Sequence, residues 1–177
     1  MILELENYSI EAIAEKDAWR LCDFVVSNED RLKRYFPKTL EQNLNPTLAA
    51  NFVAKKARQF IAKEELLYAL KHKENRTIIG LVYIKELDWK KKQAELAYCI
   101  GYQYEGKGWM SRAVEKLSQY AFENLRLNKL QIIVHNTNIG SIKVAQNNGY
   151  IWQRTLKKEH TPPGEDALDM ELYELYG

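Results

Sequence analysis

The apolar and polar positions change rhythm along the chain, and each rhythm predicts an element. Residues 8–13 alternate polar and apolar, the period of a half-buried strand, whereas 15–26 place Trp19, Cys22 and Val26 at helical spacing. Residues 28–35 read as a short polar helix that stops before Phe36-Pro37, because a residue preceding proline leaves the helical region. Residues 47–62 set Leu48, Phe52 and Phe60 among lysines and an arginine, an amphipathic helix with Asn45 or Thr47 as its cap. The middle is strand-like, at 66–71, 76–87 and 93–102, with polar links short enough for an antiparallel meander. Residues 106–125 return to the helical period, with Met110, Ala113, Val114, Leu117 and Ala121 on one face. Leu-Gln-Ile-Ile-Val within 129–135 reads as a buried central strand. Asn138 then caps a short helix with Gly149 at its C′ position, and 150–158 and 168–175 are two final strands around a Pro162-Pro163-Gly164 loop. The order β-α-α-α-β-β-β-α-β-α-β-β predicts one mixed α/β domain over 1–177, a mostly antiparallel sheet flanked by helices, with no internal linker.

Composition narrows the possible partners. Hydrophobic residues make up 46% and charged residues 28%, enough for a packed core. The 26 Lys+Arg against 24 Asp+Glu leave a net charge of +2, without the basic excess that a nucleic-acid binder gathers on one face. Cys22 and Cys99 lie far apart, with no CxxC and no His/Cys spacing for zinc, so they read as buried thiols of a reducing compartment and no metal is expected. Glu4 and Glu6 stand where a signal peptide needs bases, and apolar stretches such as 78–84 fall far short of the roughly 18 residues of a membrane span. A cytoplasmic protein with no membrane partner is the expectation.

Candidate chemistry concentrates in Gln103-Tyr104-Glu105-Gly106-Lys107-Gly108, between a strand and the long helix. Paired glycines let main-chain N–H groups converge at a helix N-terminus, where the dipole favours anions, which makes a cradle for phosphate or pyrophosphate. A P-loop requires Gly-Lys-Ser/Thr, yet Gly108 is followed by Trp109. A dinucleotide fold carries its glycines after an early strand, whereas these lie past mid-chain and after a meander.

Gln103-x-x-Gly106-x-Gly108 resembles the [Arg/Gln]-x-x-Gly-x-[Gly/Ala] signature of the GNAT superfamily, the acyl-CoA-dependent N-acetyltransferases. Ala94-Glu95-Leu96-Ala97-Tyr98 resembles the Ala-Glu-Ile-Gly-Tyr run on the family's preceding strand. Asn138-Ile139-Gly140-Ser141 is similar to the Asn-x-x-Ser that opens the next helix in the branch typified by the ribosomal-protein N-terminal acetyltransferases RimJ and RimL. Asn148-Gly149-Tyr150 resembles that branch's Gly-Phe, and Asp169, four residues before Tyr173, its closing Asp-x-x-x-Tyr strand. The likeness runs from 76 to 175; the first 70 residues add element order and the aromatic-Pro feature of Arg34-Tyr35-Phe36-Pro37.

The resemblance implies a GNAT fold in which the strand before the glycine loop and the strand after its helix splay apart, so that the pantetheine arm of acetyl-CoA lies in the gap like an added strand. It implies main-chain groups of Cys99 and Ile100 along that arm. It places the pyrophosphate on N–H groups from Gln103 through Glu105, Gly106, Lys107, Gly108 and Trp109 to Met110, with Asn138 and Ser141 near the arm and no metal. The reaction implied is acetyl transfer to a primary amine, on a protein N-terminus or a small molecule. Glu95 is the general base for an amine that arrives protonated, a main-chain N–H near Ile100 holds the oxyanion, and Ser141 is the acid, since Ala145 stands where many members carry tyrosine. Plainer roles compete: Glu95 as a strand acid paired with Lys90, Lys91 or Lys92, Ser141 and Asn138 as helix caps, His135 as a strand-end structural histidine, Lys107 as a solvated lysine, and Trp89, Tyr35 and Phe36 as core or rim aromatics. A non-catalytic coenzyme A-binding module is the alternative of a different class. A homodimer is compatible with the family, and the sequence leaves both it and the acceptor open.

Overall fold

The computed structural model describes residues 2–177, and Met1 lies outside them. Eight strands form one sheet: β1 (Ile2–Glu4), β2 (Tyr8–Ala12), β3 (Leu66–His72), β4 (Ile78–Asp88), β5 (Gln93–Ile100), β6 (Lys129–Val134), β7 (Ile151–His160) and β8 (Leu168–Tyr176). Their spatial order is β1-β2-β3-β4-β5-β6-β8-β7, and among the described residues the one parallel pair is β5 with β6. The mixed, mostly antiparallel sheet is the one expected. Helices α1 (Ala18–Ser27), α2 (Glu29–Tyr35), α3 (Pro37–Glu41) and α4 (Pro46–Ile61) precede the meander; α5 (Trp109–Glu123) and α6 (Ile139–Asn147) follow it.

Strand periodicity sorts the core into two layers. On β5, Ala94, Leu96 and Tyr98 join the apolar cluster that contains Met110, Ala113, Val114, Leu117 and Ala121 of α5. Ala97 and Cys99 face the other cluster, built on Leu21, Phe24 and Val25 of α1, Leu32 of α2, and Phe52 and Val53 of α4. Glu95 shares the face of Ala97, and that decides which layer it addresses. Because β3 and β4 are covered on both faces, they read as continuous apolar runs rather than alternating ones.

Several elements depart from the expected ones. β1 is held by pairing with β2 rather than by an apolar period. The proline that ends α2 opens α3, because its fixed φ suits a first helical turn. β4 begins at Ile78, since Arg76 adopts a φ of 62°. β5 ends at Ile100, where Tyr102–Tyr104 turn tightly, and α5 begins only at Trp109, because Gly108 is left-handed with φ 74°. Asn45 rather than Thr47 caps α4, its side chain accepting from Leu48 N at 2.9 Å.

One polar cluster lies inside the fold. Lys71 is 1% exposed, and its Nζ donates to Glu11 Oε2 at 3.0 Å and to the Asp17 carboxylate at 2.8 Å. Arg76 and Ser9 donate to Glu11 Oε1. Burial pushes the Glu11 carboxyl up, but the hydrogen bonds from Arg76, Ser9 and Lys71 outweigh it and hold it at about 2.

Candidate active site

β5 and β6 pair only through Gln93↔Lys129, Ala94↔Leu130 and Glu95↔Gln131. Beyond Glu95 they part, while β6 stays paired with β8 along its whole length. Tyr98 OH donates to Ser141 O at 2.8 Å, pinning the first turn of α6 beside the opening. The result is a cleft of about 1570 Å³.

The ladder phase determines which main-chain groups face the gap. Gly101 N donates to Ile79 O at 2.8 Å, and the β4–β5 register runs unbroken through Leu81↔Cys99 and Tyr83↔Ala97. Antiparallel pairs alternate between bonded and non-bonded, so Cys99 and Ala97 spend their N–H and C=O on β4. Leu96, Tyr98 and Ile100 turn theirs toward the gap. The expected main-chain role of Cys99 is therefore corrected: Tyr98, not Cys99, stands beside Ile100 as a free-edge residue. The Cys99 side chain packs on the α1–α4 layer, where burial pushes its thiol up to about 12.

At the far end of β5 the glycine loop meets α5. Gly106 and Gly108 both have positive φ, 72° and 74°, and nothing stands within 4 Å of where a Cβ would project. Among the described residues, the amides of Gly106, Lys107, Gly108, Trp109 and Met110 have no protein acceptor. These are the unsatisfied donors of a helix start, aimed as an anion requires. The loop is braced from three sides. Asn28 Oδ1 accepts from Tyr102 N at 3.2 Å, Tyr8 OH donates to Trp109 O at 2.6 Å, and the Glu105 carboxylate is paired with Arg31 of α2. Lys107 Nζ lies over the Trp109 ring at 5.0 Å.

Glu95 sits at the fork, lining the cleft with its side chain 14% exposed. Burial pushes its carboxyl above the usual carboxylate range; Lys85, 3.4 Å away, opposes that, while Glu86 and Glu159 reinforce it. The partner is the cross-strand Lys85, not one of Lys90, Lys91 and Lys92, because Lys85↔Glu95 are directly opposite on β4 and β5. A carboxylate of raised pKa at the branch point of two parted strands, with a free sheet edge and an anion cradle beside it, suits proton removal next to a long phosphorylated ligand.

Residues 9–151 match the family model described as an acetyltransferase (GNAT) domain. The chain belongs to the GNAT family. It is an acetyl-CoA-dependent N-acetyltransferase. It is 27% identical over 146 residues, 82% of this chain and 79% of its relative, to a putative ribosomal N-acetyltransferase, YdaF, of Bacillus subtilis (strain 168). It is 32% identical over 97 residues, 54% of this chain and 52% of the relative, to the spermidine N(1)-acetyltransferase of Escherichia coli (strain K12). Among solved structures, the ribosomal-protein-S5-alanine acetyltransferase of Vibrio fischeri superposes with a TM-score of 0.93 at 20% identity, over 99% of this chain and 96% of that one. RimL, a ribosomal L7/L12 alpha-N-protein acetyltransferase in complex with coenzyme A, superposes with 0.89 at 16% identity, over 99% and 98%.

Within this GNAT fold the expected site residues fall into two groups. Glu95, Asn138 and Ser141 line the cleft. Gln103, Glu105, Gly106, Lys107, Gly108, Trp109 and Met110 form the loop and first turn; the expected Glu105 N–H is not free, because the tight turn spends it on Tyr102 O, and Met110 sends its side chain into the core, leaving only its amide for a ligand. Asn138 is a helix cap as well, accepting from Ser141 N at 3.4 Å. His135 bonds Thr137 Oγ1 at 2.7 Å as a strand-end residue, and its ring lies 6.2 Å from that of Tyr35, so both stand in the cleft wall. Among the described residues there is no metal-binding cluster, and no helix is long and apolar enough to cross a membrane.

The left-handed glycines lead to a first expected result. Gly108→Ala costs about 1–2 kcal/mol of stability, because an L-residue resists φ 74°. It also weakens coenzyme A binding, as relaxation of the loop turns the amides away. Thermal denaturation with and without coenzyme A checks both; an unchanged stability increment from coenzyme A would remove the loop from the binding site.

Proposed function

We propose that this N-acetyltransferase acts on the α-amine of a polypeptide N-terminus, and that 1–177 work as one catalytic domain. In this reading the amides of 106–110 hold the pyrophosphate, the free edge at Tyr98 and Ile100 takes the pantetheine amides, and Asn138 borders that arm. Glu95 removes the proton of the incoming ammonium. Ser141, lining the cleft at the first turn of α6, hands a proton to the departing thiolate, which needs little help at a thiol pKa near 8.5. Acetyl-CoA supplies the activated acyl group when bound.

The observation that carries the choice of acceptor is the course of the cleft. Its volume of about 1570 Å³ takes in the gap assigned to the pantetheine as well as the acceptor side. From the fork it passes Tyr35 and Phe36 toward Phe52 of α4 and the β4–β5 turn at Trp89, a path suited to an extended chain. The full-length structural likeness to ribosomal-protein acetyltransferases supports the same choice.

A small polyamine is the second reading, favoured by the Escherichia coli spermidine acetyltransferase and by Glu64, Glu86 and Asp88 in the cleft wall. Acetyl-CoA consumption over peptides beginning with Ser, Ala or Asp, and over polyamines, aminoglycosides and free amino acids, separates the two. Peptides are expected to exceed spermidine in kcat/KM by at least about tenfold; the reverse order overturns the peptide reading in favour of the polyamine.

A further inference from the structure

Lys85 stands apart from the other lysines of the cleft in what it faces. Its Nζ lies 3.4 Å from Glu95 Oε1, on a side chain 35% exposed. Lys56 is locked onto Glu65, and Lys38, Lys55 and Lys90 have no carboxylate partner among the described residues. An ammonium held against the proposed base, on the face that the acceptor enters, is the arrangement that an acceptor complex itself requires. The gap between β5 and β6 opens one residue beyond Glu95, a strand rise of about 3.4 Å, within the swing of a lysine's four-carbon stem.

We propose that Lys85 is an internal acetyl acceptor, taking the acetyl group of acetyl-CoA when no other amine fills the cleft. This rests on Glu95 being the base. Glu95 takes one proton from the Lys85 ammonium. The freed nitrogen then bonds to the acetyl carbon as the carbon–sulfur bond breaks, and the second proton goes to the departing thiolate. The products are Nε-acetyl-Lys85 and free coenzyme A, with the Glu95 proton returned to solvent. An exogenous amine must displace the Lys85 ammonium from Glu95, so turnover and self-acetylation compete for one position.

The test incubates the full chain with acetyl-CoA and no acceptor, and maps acetyl groups by peptide mass spectrometry. Lys85 is expected to be labelled at least about tenfold faster than Lys90 and Lys91, exposed lysines of the adjacent turn that report purely chemical acetylation. Glu95→Gln is expected to abolish that excess. In the wild-type chain, where folding is not in question, saturating spermidine or an Ala-first peptide, whichever is turned over, is expected to suppress it. Equal labelling of the three lysines, or labelling indifferent to Glu95→Gln or to acceptor, overturns the proposal. Coenzyme A release measured with the same amines separates the two levels: release without Lys85 labelling overturns the internal acceptor alone, and no release with no labelling overturns the proposed base as well.

Discussion

At pH 7, Glu95→Gln lowers kcat for acetyl transfer by about 10²–10⁴-fold and leaves acetyl-CoA affinity within about twofold. Glutamine keeps the size of the side chain but cannot accept a proton, and the acceptor arrives as an ammonium. The cofactor contacts proposed above are main-chain groups of 106–110 and of the free β5 edge, to which Glu95 contributes none. The fold should tolerate the change, because Lys85 is exposed enough for water to replace the lost carboxylate. The sign of the pH dependence follows from the surroundings of Glu95. Burial raises its pKa, Lys85 lowers it, and Glu86 and Glu159 raise it again, with a net upward shift. The basic form therefore grows as pH rises, and wild-type kcat/KM falls as pH drops through that raised value. Glu95→Gln should lack this acid limb and keep only the titration of the amine. A loss below about threefold, or an acid limb that survives the substitution, would reduce Glu95 to the ion-pair partner of Lys85.

What the chain reveals before folding is what depends on local rules. The glycine loop was legible because positive φ at Gly106 and Gly108 and the free amides of a helix start are properties of a few adjacent residues. The periodic face of α5 and the Asn138 cap were legible for the same reason. Register was not. Whether Cys99 or Tyr98 turns its main chain to the gap depends on the phase of the β4–β5 ladder, a shift of one residue that no local pattern encodes. The partner of Glu95 is the same case: Lys90, Lys91 and Lys92 are near in sequence, while Lys85 is near in space because of the hairpin register. Pro37 misled in another way, since a proline reads equally as the end of α2 and as the first residue of α3. The aromatic wall of Tyr35 and His135 joins elements a hundred residues apart, and only the folded chain brings them together.

Lys71→Met is expected to destabilise the fold by about 3–5 kcal/mol at pH 7, measured as a lower midpoint in urea. A lone lysine within a strand carries no signal of burial in the sequence, yet its ammonium is shut inside between Glu11 and Asp17. Methionine fills the stem's volume, so the loss is electrostatic rather than a cavity. The two carboxylates do not suffer equally. Glu11 keeps Arg76 and Ser9 as donors, whereas Asp17, 2% exposed, keeps only the amide of Ala14 at 2.9 Å. Most of the penalty therefore falls on Asp17, and Lys71→Met with Asp17→Asn should recover much of it, because the uncompensated buried charge is gone. Acid acts on the same cluster in a calculable direction. The Glu11 pKa falls from 4.5 to about 2 on folding, so its contribution is complete above 4.5 and is lost as pH drops from there toward 2. The wild-type urea midpoint should fall across that window. The part of the gap between wild type and Lys71→Met that belongs to Glu11 should close across it too, since a protonated Glu11 no longer needs the ammonium; a gap that stays constant down to about pH 2 would mean that Glu11 draws nothing from the charge of Lys71.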